Sequence, residues 1–221
     1  MNLVFKNTIS RIVIILGVIS LIYVALSHGL ASFKYNYTKN QLEYWSSTDQ
    51  IPNPVSYQLT KESIRSVNAL WPTNPNYIDT RASVLIWGYY EELEDPDILN
   101  VAMEHFEQSI RTRPIWPWTW TEWVMTKWRL DEYDDDMLNG LITLDKVGPY
   151  TGEANLVLVD VGLQMIAQRP ELTAQLKPLI EKHYLRAELN GVIIRQMRAL
   201  KEEHENTEWL PDLVYWKDRE S

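Results

Sequence analysis

The stretch Ile98–Trp120 reads ILNVAMEHFEQSIRTRPIWPWTW, and its punctuation decides the fold. Ala102, Phe106, Ser109 and Ile110 recur at three- and four-residue spacing, which places them on one face of a helix. Small residues on either side of a large ring let a second helix approach that face closely. Pro114 cannot continue a helix, because it lacks an N–H and its ring clashes with the preceding turn. The sequence therefore predicts a helix over Ile98–Ile110, a stop at Arg113-Pro114 and a new helix from Trp118 to Leu130.

Working outward, the same punctuation recurs. Pro72, Asn74 and Pro75 precede one helical pattern, and Pro114, Trp116 and Pro117 the next. Pro149, Thr151 and Gly152 precede a third. Further helices are predicted over Thr60–Leu70, Tyr77–Glu92, Met137–Val147, Asn155–Ala167, Leu172–His183 and Arg186–Glu203. No run of alternating β-branched residues is long enough for a strand. The fold class expected is all-α, built of antiparallel helix hairpins. A period near 34 residues is that of the tetratricopeptide repeat, and Ala102, Phe106, Ser109 and Pro114 take the small, aromatic, small and proline positions of its second helix. The first helices are degenerate: Ile78, Arg81, Ala82 and Leu85 stand at the signature positions of one, and Trp120, Trp123, Val124 and Lys127 at those of the next. The longer spacing between the first two breaks implies an insertion around Glu92–Asp97. The expectation is a tetratricopeptide-like α-solenoid.

Before the helical region, Ile12–Leu26 reads IVIILGVISLIYVAL without a charge. Ile9 and Leu30-Ala31 extend it to about 20 apolar residues, enough for a helix to cross a bilayer. The domain organisation expected is an N-terminal tail (1–8), a transmembrane anchor (9–31) and a juxtamembrane linker (32–55). Helical repeats (56–185) follow, then a capping helix with an aromatic tail (186–221). In the linker, Tyr35, Tyr37, Tyr44 and Trp45 are expected at the lipid headgroups, where amphipathic rings prefer to be. A cleaved signal peptide is the competing reading of the span, with small residues at Ala25-Leu26-Ser27 or Gly29-Leu30-Ala31. Lys6 and Arg11 before the span favour a cytoplasmic N-terminus, and so a domain on the far side of the membrane.

All 30 acidic residues and 19 of the 21 basic ones lie beyond the span, which leaves that part of the chain at −11. Such a charge argues against nucleic acid or anionic headgroups as ligands, since both demand basic surface. With no cysteine, disulfides and thiolate chemistry are excluded. Ten Trp and twelve Tyr stand against three Phe. Rings with a polar handle suit half-buried surfaces and interfaces.

A single N-terminal span followed by a short, degenerate tetratricopeptide-like domain resembles the VpsP-type polysaccharide biosynthesis proteins, accessory proteins of bacterial exopolysaccharide gene clusters. The stretch Arg113–Trp120, RPIWPWTW, is similar to a P-x-W-P-x-x-W block of that group. Leu70–Pro75 and Val147–Tyr150 fit the same layout. In a Gram-negative bacterium the Lys6 and Arg11 bias would put the anchor in the inner membrane and the domain in the periplasm. The resemblance implies a non-enzymatic partner of an integral-membrane polymerase or ligase of the O-antigen kind. It supplies no catalytic residues, and no cofactor or metal is expected.

The candidate partner-binding residues are Trp116, Trp118, Trp209, Tyr215 and Trp216. Trp116, Trp120 and Trp123 share one helical face; Trp120 and Trp123 are expected to fill the core, and Trp116 and Trp118 to meet a partner. The alternative occupant is a glycan or lipid-linked oligosaccharide, since indole rings stack on either kind of surface. The acidic corner Asp131–Asp136 lacks the spacing of an EF-hand loop and is expected to be a solvated turn at a helix start, where the dipole favours carboxylates. The four histidines form no metal-binding spacing, and neither a nucleophile elbow nor a phosphate-binding loop is present. The C-terminal helix is expected to cap the stack, with the aromatic tail either folded back or docked on a partner.

Overall fold

The computed structural model describes residues 2–204 and 207–215, with side chains from Arg11 onward. Among the described residues it is all-helical, with no strand and nine α-helices. They are α1 (Asn2–Thr48), α2 (Pro54–Leu70), α3 (Pro75–Tyr90), α4 (Ile98–Thr112), α5 (Pro117–Arg129), α6 (Asp135–Val147), α7 (Gly152–Gln168), α8 (Thr173–Arg186) and α9 (Ile193–Glu203). The chain divides into two compact units, Met1–Glu94 and Asp95–Ser221.

Unit 1 is built on α1. Its apolar stretch is long and apolar enough to cross a membrane, and none of that stretch is buried. Leu26 and Leu30 are still exposed, whereas Ala31 is fully buried. One face of the helix is therefore covered from Ala31 onward, while Phe33 on another face stays exposed. The segment 32–48, expected as linker, is the covered half of α1 and packs against both helices. Ala31, Tyr35, Thr38, Leu42 and Trp45 follow one another at alternating spacings of four and three, the seam of a packed helix. Trp45, expected at the headgroups, is fully buried, with its ring centroid 6.4 Å from Tyr57 and 6.1 Å from Trp87. Packing in the core removes more apolar surface from water than an interfacial position would. At the exposed end of this seam, His28 stacks on Trp71 at 3.8 Å.

The prolines of Ile51-Pro52-Asn53-Pro54 mark a start as well as a stop. Asp49 turns the chain with φ 52°. Asn53 then accepts the Ser56 N–H at 2.9 Å as the N-cap of α2, and Pro54 occupies the first turn. A proline there forfeits nothing, because its missing N–H would have had no partner within the helix.

The recurrent prolines mark one turn built three times. Trp71, Arg113 and Gly148 end α2, α4 and α6 with φ/ψ of −135°/69°, −141°/70° and −123°/34°. A proline follows each and pushes the residue before it out of the helical region. Asn74, Trp116 and Thr151 then start α3, α5 and α7 with φ/ψ of −79°/111°, −92°/110° and −87°/121°. In each turn the N-cap N–H bonds back to the carbonyl of the residue before the proline, at 3.2, 3.3 and 3.1 Å. The spacer expected around Glu92–Asp97 is a turn with Glu92 at φ 55°, and it falls where the two units divide.

Unit 2 is a run of helices joined by turns of a few residues. α5 packs against α4 and α6 and also against α7, and α7 against α6, α8 and α9. From α4 to α8 each helix thus meets its neighbour in sequence, and α7 also meets α5 and α9. Ala102, Phe106 and Ser109 are fully buried on α4, and Phe106 meets Trp118 edge-on at 6.1 Å. Pro114 is exposed in its turn.

Candidate functional site

Two features of unit 2 combine exposure with order. The first is an edge formed by its two proline turns. Ile115 is 76% exposed, Trp116 46% and Tyr150 82%. The turns touch: a Cβ placed on Gly148 would lie 3.0 Å from the Pro117 Cβ and 3.0 Å from the Ala154 Cβ. Only glycine allows so close an approach. Each exposed ring rests on a guanidinium, Trp116 on Arg113 at 4.3 Å and Tyr150 on Arg186 at 5.2 Å. Stacking of this kind restricts the ring's rotamers before any partner arrives. Of the residues expected to meet a partner, Trp116 lies on this edge. Trp118 is half-buried against Phe106. Tyr150 carried no sequence signal beyond its place in the recurring turn.

The second feature is a groove of about 380 Å³ between α4 and α6, floored by α5. Trp120 and Trp123 line it, with centroids 5.9 Å apart and planes at 68°. Trp123 is buried and Trp120 half-buried, and the Trp120 Nε1–H donates to the Pro114 carbonyl at 2.7 Å. Gly140 lies under the Trp123 ring, where a Cβ would come within 2.6 Å of it. Glu107 and Arg111 from α4 and Asp136 and Asn139 from α6 form the rim.

The acidic corner is occupied by structural duties. Asp134 caps α6 by accepting the Met137 N–H at 2.9 Å. Lys127, almost wholly buried, donates to Asp134 at 2.7 Å and to Glu132 at 2.8 Å. Burial alone would raise the Asp134 pKa, but the hydrogen bonds from Lys127 and Met137 hold it below its ordinary value. Burial would likewise lower the Lys127 pKa, and the two carboxylates outweigh that and raise it. Asp135 pairs with Arg169 at 2.7 Å. No group of three or more His, Asp or Glu side chains could hold a metal ion among the described residues.

Sequence reasoning missed a buried polar knot that ties α6, α7 and α8 together. His183, 1% exposed, places Nε2 at 2.7 Å from Asp145 Oδ1 and Nδ1 at 2.5 Å from the Asn155 side chain. Lys182 and Arg186 complete the ring of charge around Asp145. Burial pushes the His183 pKa down; Asp145 opposes this and Arg186 adds to it. A neutral ring donates from Nε2 to Asp145 and accepts at Nδ1, which requires the Asn155 amide to present its N–H. Amide orientation is assigned from such networks. Burial would raise the Asp145 pKa, and the bonds from Lys182 and His183 bring it below its ordinary value.

The C-terminal tail folds back on its own unit. Leu210 and Leu213 are buried, Arg198 donates to the Leu213 carbonyl at 2.6 Å, and Glu188 accepts the Val214 N–H at 3.0 Å. Trp209 is half-buried beneath the Lys177 ammonium at 4.6 Å, and Tyr215 is half-buried beside Gly191. Trp216 lies outside the described residues. No protein-family model matches the chain, and no curated protein matches it.

Proposed function

We propose that this chain is a membrane-anchored adaptor, a non-enzymatic scaffold that holds an integral-membrane polymerase or ligase of bacterial cell-surface polysaccharide assembly. The observation that carries the reading is the edge of unit 2, where Ile115, Trp116 and Tyr150 stand exposed and the two rings are stiffened by arginines. Large rings that lose little rotamer freedom dominate interface hot spots. The thrice-repeated proline turn and the packing of α5 on both α6 and α7 support a tetratricopeptide-like solenoid, a fold whose extended surfaces bind other proteins. The class of partner rests on the resemblance of the Arg113–Trp120 block. The reading places the anchor in the bacterial inner membrane and the units on its periplasmic side, with no catalytic role for any side chain.

The test is photo-crosslinking and co-purification of the full chain from membranes, with the crosslinker at Ile115. A polytopic membrane protein of a polysaccharide locus is the expected adduct, lost when Trp116 and Tyr150 are both replaced by Ala. Retention of the complex in that double variant rejects the edge as the docking site. Reporter fusions at Ser221 test the side of the membrane.

A further inference from the structure

Beyond that reading, we infer that the groove floored by Trp120 and Trp123 is a binding site for a neutral sugar unit. Its volume of about 380 Å³ lies at the small end of the roughly 300–1,000 Å³ typical of ligand pockets. The two indole planes, 68° apart, give two apolar walls. Both are fixed, Trp120 by its bond to Pro114 and Trp123 by its burial against Gly140. A saccharide ring is apolar on its C–H face and carries hydroxyls around its rim, so it pairs with an aromatic platform edged by hydrogen-bonding groups.

The rim carries both signs, so no charged ligand meets a rim of purely opposite sign: Glu107 and Asp136 stand against Arg111. Together with the Asn139 amide they offer both donors and acceptors, as hydroxyls require. Asp134 and Asp135, a few residues away, are committed to Lys127 and Arg169. Among the described residues, the acids on the groove, Glu107 and Asp136, are in no such pair. The described part of the tail packs on Arg198, Lys201 and Glu188, which are not among the groove's lining residues.

The site is separate from the proline-turn edge, so each can fail alone. The test uses the full chain in nanodiscs without sugar-headed lipids or detergents. Maltose, cellobiose, lactose and chitobiose are the probes, with glucuronate and choline as charged controls. Saturation-transfer NMR reports contact with sugar C–H groups, and tryptophan fluorescence reports occupancy. The expected result is saturable binding of at least one neutral disaccharide, with Kd on the order of 1 mM, and none of either control. Trp120→Ala should abolish it. The paired change Asp136→Asn with Asn139→Ala, on two exposed side chains, should weaken it about tenfold with an unchanged circular dichroism spectrum. Trp116→Ala should leave it intact. The inference is overturned if none of the four sugars binds, if choline or glucuronate binds as well as they do, or if the paired variant binds like the parent.

Discussion

Replacing Trp45 by Ala is the sharpest test of how the anchor meets the rest of the chain. Were 32–48 a linker at the membrane surface, the change would remove one ring from the headgroups and leave the fold untouched. In the structure Trp45 is fully buried between Tyr57 and Trp87. Removing a buried Trp side chain leaves a cavity and costs about 3–5 kcal/mol. In a unit of this size each kcal/mol lowers the melting temperature by about 4–8 °C, so the unit should lose at least about 12 °C. Trp45→Phe is the control. The indole Nε1–H is buried without a partner among the described residues, and an unsatisfied donor costs about 1–3 kcal/mol. Phe deletes that donor and keeps most of the packing, so its net effect should stay within about 1.5 kcal/mol, the span of conservative apolar swaps. The assay is thermal melting of the full chain in micelles, with hydrogen exchange of α2 and α3 to localise the loss. An Ala variant that melts like the parent, with unprotected amides over 32–48, would refute the reasoning.

The remaining expectations concern unit 2. His183 has a folded pKa below its ordinary 6.5, so the unfolded state binds the extra proton first; stability should be full above about pH 6.5 and decline as the pH falls below it. His183→Gln should flatten that slope in melts taken between pH 7.5 and 5. Asp134 and Asp145, both held below their ordinary 3.8, contribute stability above that value, which disappears as the pH drops through their folded pKa values. Lys127→Met, which keeps the buried stem, should reduce the Asp134 share of this acid sensitivity, with the Met137 N–H still holding the carboxylate, and leave the Asp145 share. Gly148→Leu should force the two proline turns apart, since even a Cβ would touch Pro117 and Ala154; overpacking of this kind costs about 1–3 kcal/mol, readable by denaturant titration.

The helices and their stops were legible because prolines sit at fixed places in them. Asn74-Pro75 and Trp116-Pro117 each set an N-cap and a first turn, and that local chemistry survives into the fold. The continuation of α1 left a fainter trace. Its seam of Ala31, Tyr35, Thr38, Leu42 and Trp45 has helical spacing, but Thr38 interrupts it with a hydroxyl and the aromatics also suit a membrane surface. Only packing on α2 and α3 decides between the two. Trp116 could be read as exposed because it stands at a cap beside two prolines. The groove could not be read. Glu107 and Arg111, Trp120 and Trp123, and Asp136 and Asn139 each have helical spacing within their own helix. Nothing in one dimension says that those three faces meet. The same holds for His183 and Asp145, which lie 38 residues apart.

Because α1 runs unbroken from bare helix into the core of unit 1, there is no hinge between them. The covered stretch 32–48 is about 25 Å long at 1.5 Å per residue. Membrane helices lean by about 20° on average, and the lean follows bilayer thickness. A rod of that length leaning by that angle carries its far end sideways by about 9 Å. In the membrane-anchored reading proposed above, thickness of the surrounding lipid steers where Trp45 and the helices clamped around it stand above the membrane, as a mast follows the deck in which it is stepped.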